Sequence, residues 1–374
     1  MKEYKVGILG LGNIGRVHAY AVGAMPYLYD LPFRVTLGGV YSRTYEKSLA
    51  AVDKLGFEFA AKTPEELISR KDIDAICLCL PNHQHEEFAV KALEAGKHLY
   101  CEKPLCLDYA GAQRIAEAAK KSGVKVQMVF QNRFFPAVMR AKQLMDDGRI
   151  GRLYSFEAKY YHASNIDPDK PFGWQQSKSV AGGGTLTDMG SHIIDLVSYL
   201  GGPYARVNAA LQTAVTMRRD GESLRTVETE DAGYVIAELK NGAMGTIVAS
   251  KLATGTNDEL AIRLFGEKGA LRFSTESPNR LEYYDNTDKG GSFGGEKGIK
   301  LIESYQRFDP PGGFTPPPKV GIGWVRAHVH SMYSFLSCVH NGKECDPSLQ
   351  DGVYNQFVLE KMAESARTGS WIAL

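Results

Sequence analysis

Two rhythms of apolar residues divide the chain. Up to about residue 150, short apolar runs alternate with segments whose apolar residues recur every three or four positions. Residues 6–9, 34–41, 73–80, 98–101 and 124–130 read as strands. Between them, Ile14, His18, Ala21, Val22 and Met25 mark one helical face; Phe88, Ala89, Ala92 and Leu93 mark another; Tyr109, Ala112, Ile115, Ala116 and Ala119 a third. Residues 47–55 read as a helix, and Thr63-Pro64 opens a short one. The run 73–80, ending at Leu80, is apolar almost throughout, the signature of a parallel strand buried on both faces. Beyond residue 150 the period becomes two. Tyr154, Phe156, Ala158 and Tyr160 share one face, as do Val207, Ala209, Leu211, Thr213 and Val215. Further strands fall at 234–239, 244–251, 259–264 and 270–273, with Asn241-Gly242 as a hairpin signal.

The pattern predicts two domains. Residues 1–130 form an α/β domain with a parallel sheet, and residues 131–374 an α+β domain with a large, open, mostly antiparallel sheet. The uncovered face of that sheet suits a homo-oligomer, a dimer or tetramer. Residues 286–323 carry Gly290-Gly291, Gly294-Gly295, Pro310-Pro311-Gly312-Gly313 and Pro316-Pro317-Pro318. They read as a long arm without regular structure that wraps a neighbouring subunit or shapes a substrate mouth. Two helices close the chain. Val325, Val329, Met332, Phe335, Leu336 and Val339 mark the first, stopped by Asn341-Gly342; Asp346-Pro347-Ser348 opens the second.

Composition narrows the partners. The 374 residues hold 44 basic and 43 acidic side chains, a net charge of +1. That balance argues against nucleic acid or an anionic membrane as partner. No apolar run is long enough to span a bilayer. Residues 1–5 lead straight into a strand without a signal-peptide core, so the expected location is cytoplasmic. Six cysteines without a Cys-x-x-Cys pair predict neither a disulfide framework nor structural zinc. His83-x-His85 has no third ligand at an evident spacing, so no metal is expected.

The chemistry starts at Gly10-Leu11-Gly12-Asn13-Ile14-Gly15, between the first strand and the first helix. This is a Rossmann dinucleotide fingerprint in its proper context. Gly10 allows the tight turn, Gly12 lets the backbone approach a pyrophosphate, and Gly15 lets the helix pack on the strand. Asn13 and Ile14 bring the helix N-terminus to the phosphates. The second strand ends in Ser42-Arg43 with no acid, which leans toward NADP over NAD; Arg43 reads equally as a solvated charge. Asn82 and His85, after the run ending at Leu80, either touch the cofactor ribose or serve the following helix. Cys101-Glu102-Lys103-Pro104 follows the fourth long strand, with Pro104 stiffening the turn. Lys103 there suits proton exchange with a substrate hydroxyl; its alternative is a solvated lysine paired with Glu102. Gln131, Asn132 and Arg133 end the next strand. Gln131 faces the cofactor, and Asn132 and Arg133 are candidates for substrate hydroxyls, with Arg133 equally readable as a domain anchor. Gly182-Gly183-Gly184 then precedes a helix on which Asp188 and His192, four apart, share a face that Asp195 extends. They form a candidate acid/base pair; the alternative is a helix cap and a core histidine.

Gly10-x-Gly12-x-x-Gly15, Glu102-Lys103-Pro104 and Gly183-Gly184-x-x-x-Asp188-x-Gly190-x-His192 together resemble the Gfo/Idh/MocA oxidoreductases, the family of glucose–fructose oxidoreductase and inositol dehydrogenase. The resemblance covers nearly the whole chain, including its Ser365-Ala366-Arg367-Thr368-Gly369 ending. It implies a Rossmann domain followed by an open-sheet domain, NAD or NADP as cofactor, and a sugar, glycoside, inositol or other polyol as substrate. The family's catalytic lysine, aspartate and histidine match Lys103, Asp188 and His192, which would also contact substrate. The implied reaction is hydride transfer at a secondary alcohol, with Lys103 or His192 taking the proton and Asp188 orienting the sugar. Two alternatives stay open: a redox-neutral enzyme that cleaves glycosides through a transient keto-sugar on bound NAD, and a non-catalytic sugar or dinucleotide sensor.

Overall fold

The computed structural model describes residues 1–305 and 319–374. The chain forms two compact units. Met1–Phe134 joins Gln306–Gln356 in the first, and Phe135–Tyr305 joins Phe357–Leu374 in the second. The expected division at 130/131 is therefore not a single cut, because a late segment returns to the first unit. No described helix is long and apolar enough to cross a membrane.

In the first unit, β1 (Glu3–Leu9) leads to α1 (Asn13–Leu28), β2 (Arg34–Tyr41), α2 (Tyr45–Leu55), β3 (Phe59–Ala61) and α3 (Pro64–Ser69). Then follow β4 (Ala75–Leu78), α4 (His85–Glu94), β5 (His98–Cys101), α5 (Tyr109–Ser122) and β6 (Val126–Met128). The six strands form one parallel sheet in the order β3-β2-β1-β4-β5-β6. All four residues of β4 are buried, as its apolar run requires. The run starts two residues earlier in sequence than in structure, and the Ile73 carbonyl accepts from Lys97 Nζ at 2.8 Å. At three residues, β3 is too short to show a period, and it exists by pairing with Gly39–Tyr41.

The second unit begins with α6 (Pro136–Asp146) and β7 (Leu153–Tyr161), followed by the short α7 (Lys178–Ala181) and α8 (Ser191–Gly201). Strands β8 (Tyr204–Gln212), β9 (Met217–Asp220), β10 (Ser223–Thr226), β11 (Ala232–Leu239) and β12 (Met244–Ser250) come next. They are followed by β13 (Glu259–Gly266), β14 (Gly269–Ser274), β15 (Arg280–Asp285) and β16 (Ile299–Glu303). The chain ends in α9 (Trp324–Asn341), which belongs to the first unit, α10 (Leu349–Thr368) and β17 (Ile372–Ala373). Nine strands make one sheet, β16-β15-β14-β13-β7-β12-β11-β8-β17, antiparallel except where β7 meets β12. Strands β9 and β10 form a separate hairpin. Helix α8 buries Ile193, Leu196, Val197 and Leu200. Along β11, Val235 and Ala237 are buried while Tyr234 and Ile236 stand 44 % and 47 % exposed.

Three expectations change. Tyr154 is exposed instead of sharing the covered face. Opposite it the ladder passes from Phe265↔Ser155 to Gly266↔Leu153, so Tyr154 is an extra residue and Leu153 turns inward. Strand β8 stops at Gln212, leaving Thr213 and Val215 beyond it, and Leu211 is exposed. The stretch 286–323 is not structureless throughout. Ser292–Gly294 is a 3-10 turn and β16 pairs with β15. Residues 306–318, with the Pro310-Pro311 and Pro316-Pro317-Pro318 runs, lie outside the described residues.

Helix α9 explains the return to the first unit. Its Val329, Met332, Phe335 and Leu336 share a buried cluster with Val22 and Met25 of α1 and with Tyr100 of β5. The helices α3, α4 and α5 cover the opposite side of the parallel sheet, around Ile76, Leu78, Leu99 and Cys101.

Candidate active site

The glycine turn after β1 is built as its spacing requires. Gly10 has φ +103, and a Cβ there would lie 2.5 Å from the Cys79 carbonyl oxygen. A Cβ on Gly15 would lie 2.0 Å from the Gly10 oxygen, so helix and turn touch through bare backbone. Around Gly12, the N-cap of α1, a Cβ would meet nothing within 4 Å. No acid occupies the first turn of α1, so the N–H groups at Asn13, Ile14 and Gly15 present an unopposed positive helix end. These residues fit a pyrophosphate: the cradle is closed where backbone meets backbone and open where a phosphate would approach. A cavity of about 390 Å³ beside Gly12 also reaches Arg16, Lys47 and Lys54.

The other candidates of the first unit sort by what already holds them. The Ser42 hydroxyl donates to the Thr44 carbonyl at 2.7 Å and accepts from Ser48 at 3.1 Å, so its bonding is spent inside the turn. Arg43 is exposed. Asn82 is buried in a 3-10 turn. Both ring nitrogens of His85 face carbonyls, Leu80 at 2.7 Å and Pro104 at 3.0 Å, and burial holds its pKa below the ordinary value. His85 thus ties the loop after β4 to the loop after β5. Glu102 does not pair with Lys103 as a surface ion pair would. One carboxylate oxygen faces His18 Nε2 at 2.7 Å, and the other accepts the Lys103 backbone N–H at 3.2 Å. Burial opposes the charge on His18, but Cys77 and Glu102 outweigh it and raise the imidazole pKa. Gln131, Asn132 and Arg133 are all buried. The Arg133 guanidinium grips Asp346 at 2.8 Å and Asp351 at 3.1 Å, both within the first unit.

In the second unit, Leu186–Gly190 is a π-helical turn running into α8, a distortion that recurs at functional sites. Gly184 sits so close to Glu230 that a Cβ would lie 2.2 Å from its carbonyl oxygen. The Glu230 carboxylate accepts the N–H groups of Gly184 at 3.0 Å and Leu186 at 2.9 Å, and burial raises its pKa. Asp188 is not a helix cap. Its Oδ2 accepts from Lys251 Nζ at 2.8 Å and from Gln175 Nε2 at 3.1 Å. His192 is 6 % exposed and meets the Tyr160 ring edge-on at 5.9 Å. Asp258 bonds His162 at 3.0 Å, and that bond holds its carboxyl below the usual range. Asp195 is buried on α8. Lys103 belongs to the first unit, and Asp188 and His192 to the second.

Sequence reasoning missed Lys251, Gln175 and His18. Lys251 is the last residue of the expected strand 244–251, where a lysine reads as solvated. Only the sheet register, with the Lys251 N–H on the Asp231 carbonyl at 2.9 Å, turns it inward.

Comparison with known proteins defines the class. A family model described as an oxidoreductase family with an NAD-binding Rossmann fold matches residues 4–130, and a GFO/IDH/MocA C-terminal domain matches 138–272. The chain belongs to the Gfo/Idh/MocA oxidoreductase family. Levoglucosan dehydrogenase of Pseudarthrobacter phenanthrenivorans is 30 % identical over 100 % of this chain and 98 % of that protein. Glucose-6-phosphate 3-dehydrogenase of Bacillus subtilis is 26 % identical over 96 % of this chain and 95 % of that protein. A solved levoglucosan dehydrogenase in complex with NADH and L-sorbose superposes with TM-score 0.95 at 30 % identity, covering 100 % of this chain and 99 % of that one.

Proposed function

We propose that the chain is an NAD(H)-dependent dehydrogenase of an uncharged sugar or related polyol, acting at a secondary alcohol. The observation that carries the reading is the open Gly12 at the N-terminus of α1, in a turn where every other close approach is backbone on backbone. Gly10, Gly12, Asn13, Ile14 and Gly15 would hold the dinucleotide. With the Ser42 hydroxyl engaged inside its own turn, Arg43 alone is left to favour NADP, and a solved relative was captured with NADH. When bound, the nicotinamide supplies the hydride acceptor or donor.

The chain's own residues do the rest. Asp188, fixed by Lys251 and Gln175, accepts a substrate hydroxyl and sets its direction. Either Lys103 or His192 takes the hydroxyl proton, and the other hydrogen-bonds the forming carbonyl. An uncharged substrate is supported by how Lys251, which faces Asp188, and the cations around it are engaged. Lys251 pairs with Asp188, Lys170 reaches the Ser164 carbonyl and Asn165, and Arg218 donates to the Asn165, Asp167 and Lys170 carbonyls. The half-exposed Tyr234 and Ile236 on β11 support association of copies through the open sheet face.

The test is a panel of sugars, anhydrosugars, inositols, sugar phosphates and glycosides with NAD or NADP, read by mass spectrometry. A ketone two mass units lighter with matching NAD reduction is the expected result. Preferential oxidation of a sugar phosphate would refute the uncharged class, and cleaved glycoside without net nucleotide change would refute the dehydrogenase. Lys103→Met is expected to lower turnover far more than NADH affinity; equal losses would remove Lys103 from the chemistry.

A further inference from the structure

We propose that Cys77, Cys79 and His18 form a binding site for a thiophilic divalent ion, zinc by their chemistry, inside the first unit. The three residues come from two elements. Cys77 lies in β4 and Cys79 one residue past its end; His18 lies in α1. Their ligand atoms all fall within 4.8 Å of one another. The two sulfurs are 3.5 Å apart, and both thiols are free. A zinc ion with bonds of about 2.3 Å to sulfur spans a tetrahedral edge of about 3.8 Å, so the thiols stand near ligating distance without a backbone change.

The imidazole supplies the second observation. His18 is fully buried, and its Nδ1 has no hydrogen-bond partner among the described residues. A buried polar nitrogen without a partner is unfavourable and calls for an explanation. The other nitrogen is already held by Glu102 at 2.7 Å. A carboxylate on the far nitrogen of a ligating histidine is the usual outer partner at zinc, where it fixes the tautomer and strengthens the ligand. Two thiolates and one imidazole are a soft set that favours zinc over magnesium or calcium. The fourth position goes to a small exogenous ligand such as water. On binding, the ion replaces the two thiol protons, which pass to solvent. His18, Glu102 and His328 form a second set within the same 4.8 Å limit, but it offers no sulfur and uses Glu102 as a ligand instead of a support.

The location gives the ion a structural role. It would join α1 to the end of β4, one residue before Leu80, while Glu102 carries the constraint to the residue before Lys103. The spacing Cys-x-Cys carries no zinc signature in the sequence; the third ligand, 59 positions upstream of Cys77, is brought in by the fold.

The full chain, folded in cells supplied with zinc or with cobalt and then desalted, tests this by metal content and absorption. The expected result is one ion per chain, with a thiolate-to-cobalt charge-transfer band and tetrahedral ligand-field bands in the cobalt form. Cys77→Ser and Cys79→Ser should each weaken the charge-transfer band, and His328→Gln should leave it unchanged. Should the serine variants not fold, denaturing the wild-type zinc form with a chromophoric chelator present reads the same site by release of one ion per chain. Less than a tenth of an ion per chain in both metal forms overturns the proposal. So does a cobalt spectrum without thiolate bands, or a metal content lost in His328→Gln and kept in Cys77→Ser.

Discussion

Replacing Gly12 and Gly15 separately by alanine should divide nucleotide binding from folding. At Gly15 the new methyl would lie 2.0 Å from the Gly10 oxygen, about 1.4 Å inside ordinary contact at 3.4 Å. Gly10 cannot retreat, because its own Cβ direction is filled by the Cys79 carbonyl at 2.5 Å. The start of α1 must therefore lift off the sheet. Overpacking of this kind costs about 1–3 kcal/mol, of which alanine's better helix propensity returns at most about 1 kcal/mol. For a unit of this size a loss of about 2 kcal/mol lowers the melting temperature by roughly 4–8 °C. At Gly12 a methyl meets nothing, and φ −79 with ψ −163 is open to any residue. Only the cap preference changes, by less than about 1 kcal/mol. The methyl does, however, stand where the pyrophosphate must approach the helix N–H groups. Losing one or two charge-assisted hydrogen bonds, about 2–3 kcal/mol, weakens NADH binding by roughly 30–150-fold. The assay is thermal unfolding of both variants without nucleotide, with NADH titration by fluorescence. A Gly12→Ala protein that binds NADH like wild type, or melts as early as Gly15→Ala, would refute the reasoning.

Lys251→Met keeps the stem but removes the charge that faces Asp188 at 2.8 Å with only 8 % of its side chain exposed. Breaking a buried pair costs about 3–5 kcal/mol, but Asp188 is a third exposed and retains Gln175, so a stability loss of about 1–3 kcal/mol and at least a tenfold fall in kcat/KM are expected. Unchanged kcat/KM on the substrate found in the panel would show that Lys251 does not position Asp188. Buried His330 shares a hydrogen bond with the Tyr29 hydroxyl at 2.7 Å, and burial together with Arg326 holds its pKa well below the ordinary 6.5. Below that value the unfolded chain takes a proton that the folded one refuses, so stability is full above about pH 6.5 and falls as pH drops, by up to about 1.4 kcal/mol per pH unit. In denaturant unfolding His330→Gln should flatten this slope; an identical slope would mean the ring titrates normally. Ile236→Lys, on the open face of β11, should lower the mass seen by light scattering without lowering the protomer's own stability; an unchanged mass would place any association elsewhere.

Much of this protein could be read from local patterns, because local patterns record local physics. The apolar run ending β4 and the glycine spacing of the first turn are set within a few residues, by burial on both faces and by the absence of a Cβ. So the parallel sheet, the later antiparallel sheet and the fingerprint from Gly10 to Gly15 were visible in the sequence. The resemblance carried by Lys103, Asp188 and His192 pointed to the family that the comparisons then established. Tertiary structure alone decided what lies opposite what. An amphipathic pattern shows that α9 has an apolar face, but not that Val329 and Met332 share a core with α1. It leaves Lys251 looking solvated, 63 positions from the aspartate it holds, and Glu102 looking paired with its neighbour when its partner is His18, 84 positions away. Nothing local to Arg133 foretold Asp346 and Asp351, which come within reach of its guanidinium. Side-chain ion pairs and hydrogen bonds form across space, and a sequence specifies them only through the packing that closes the chain.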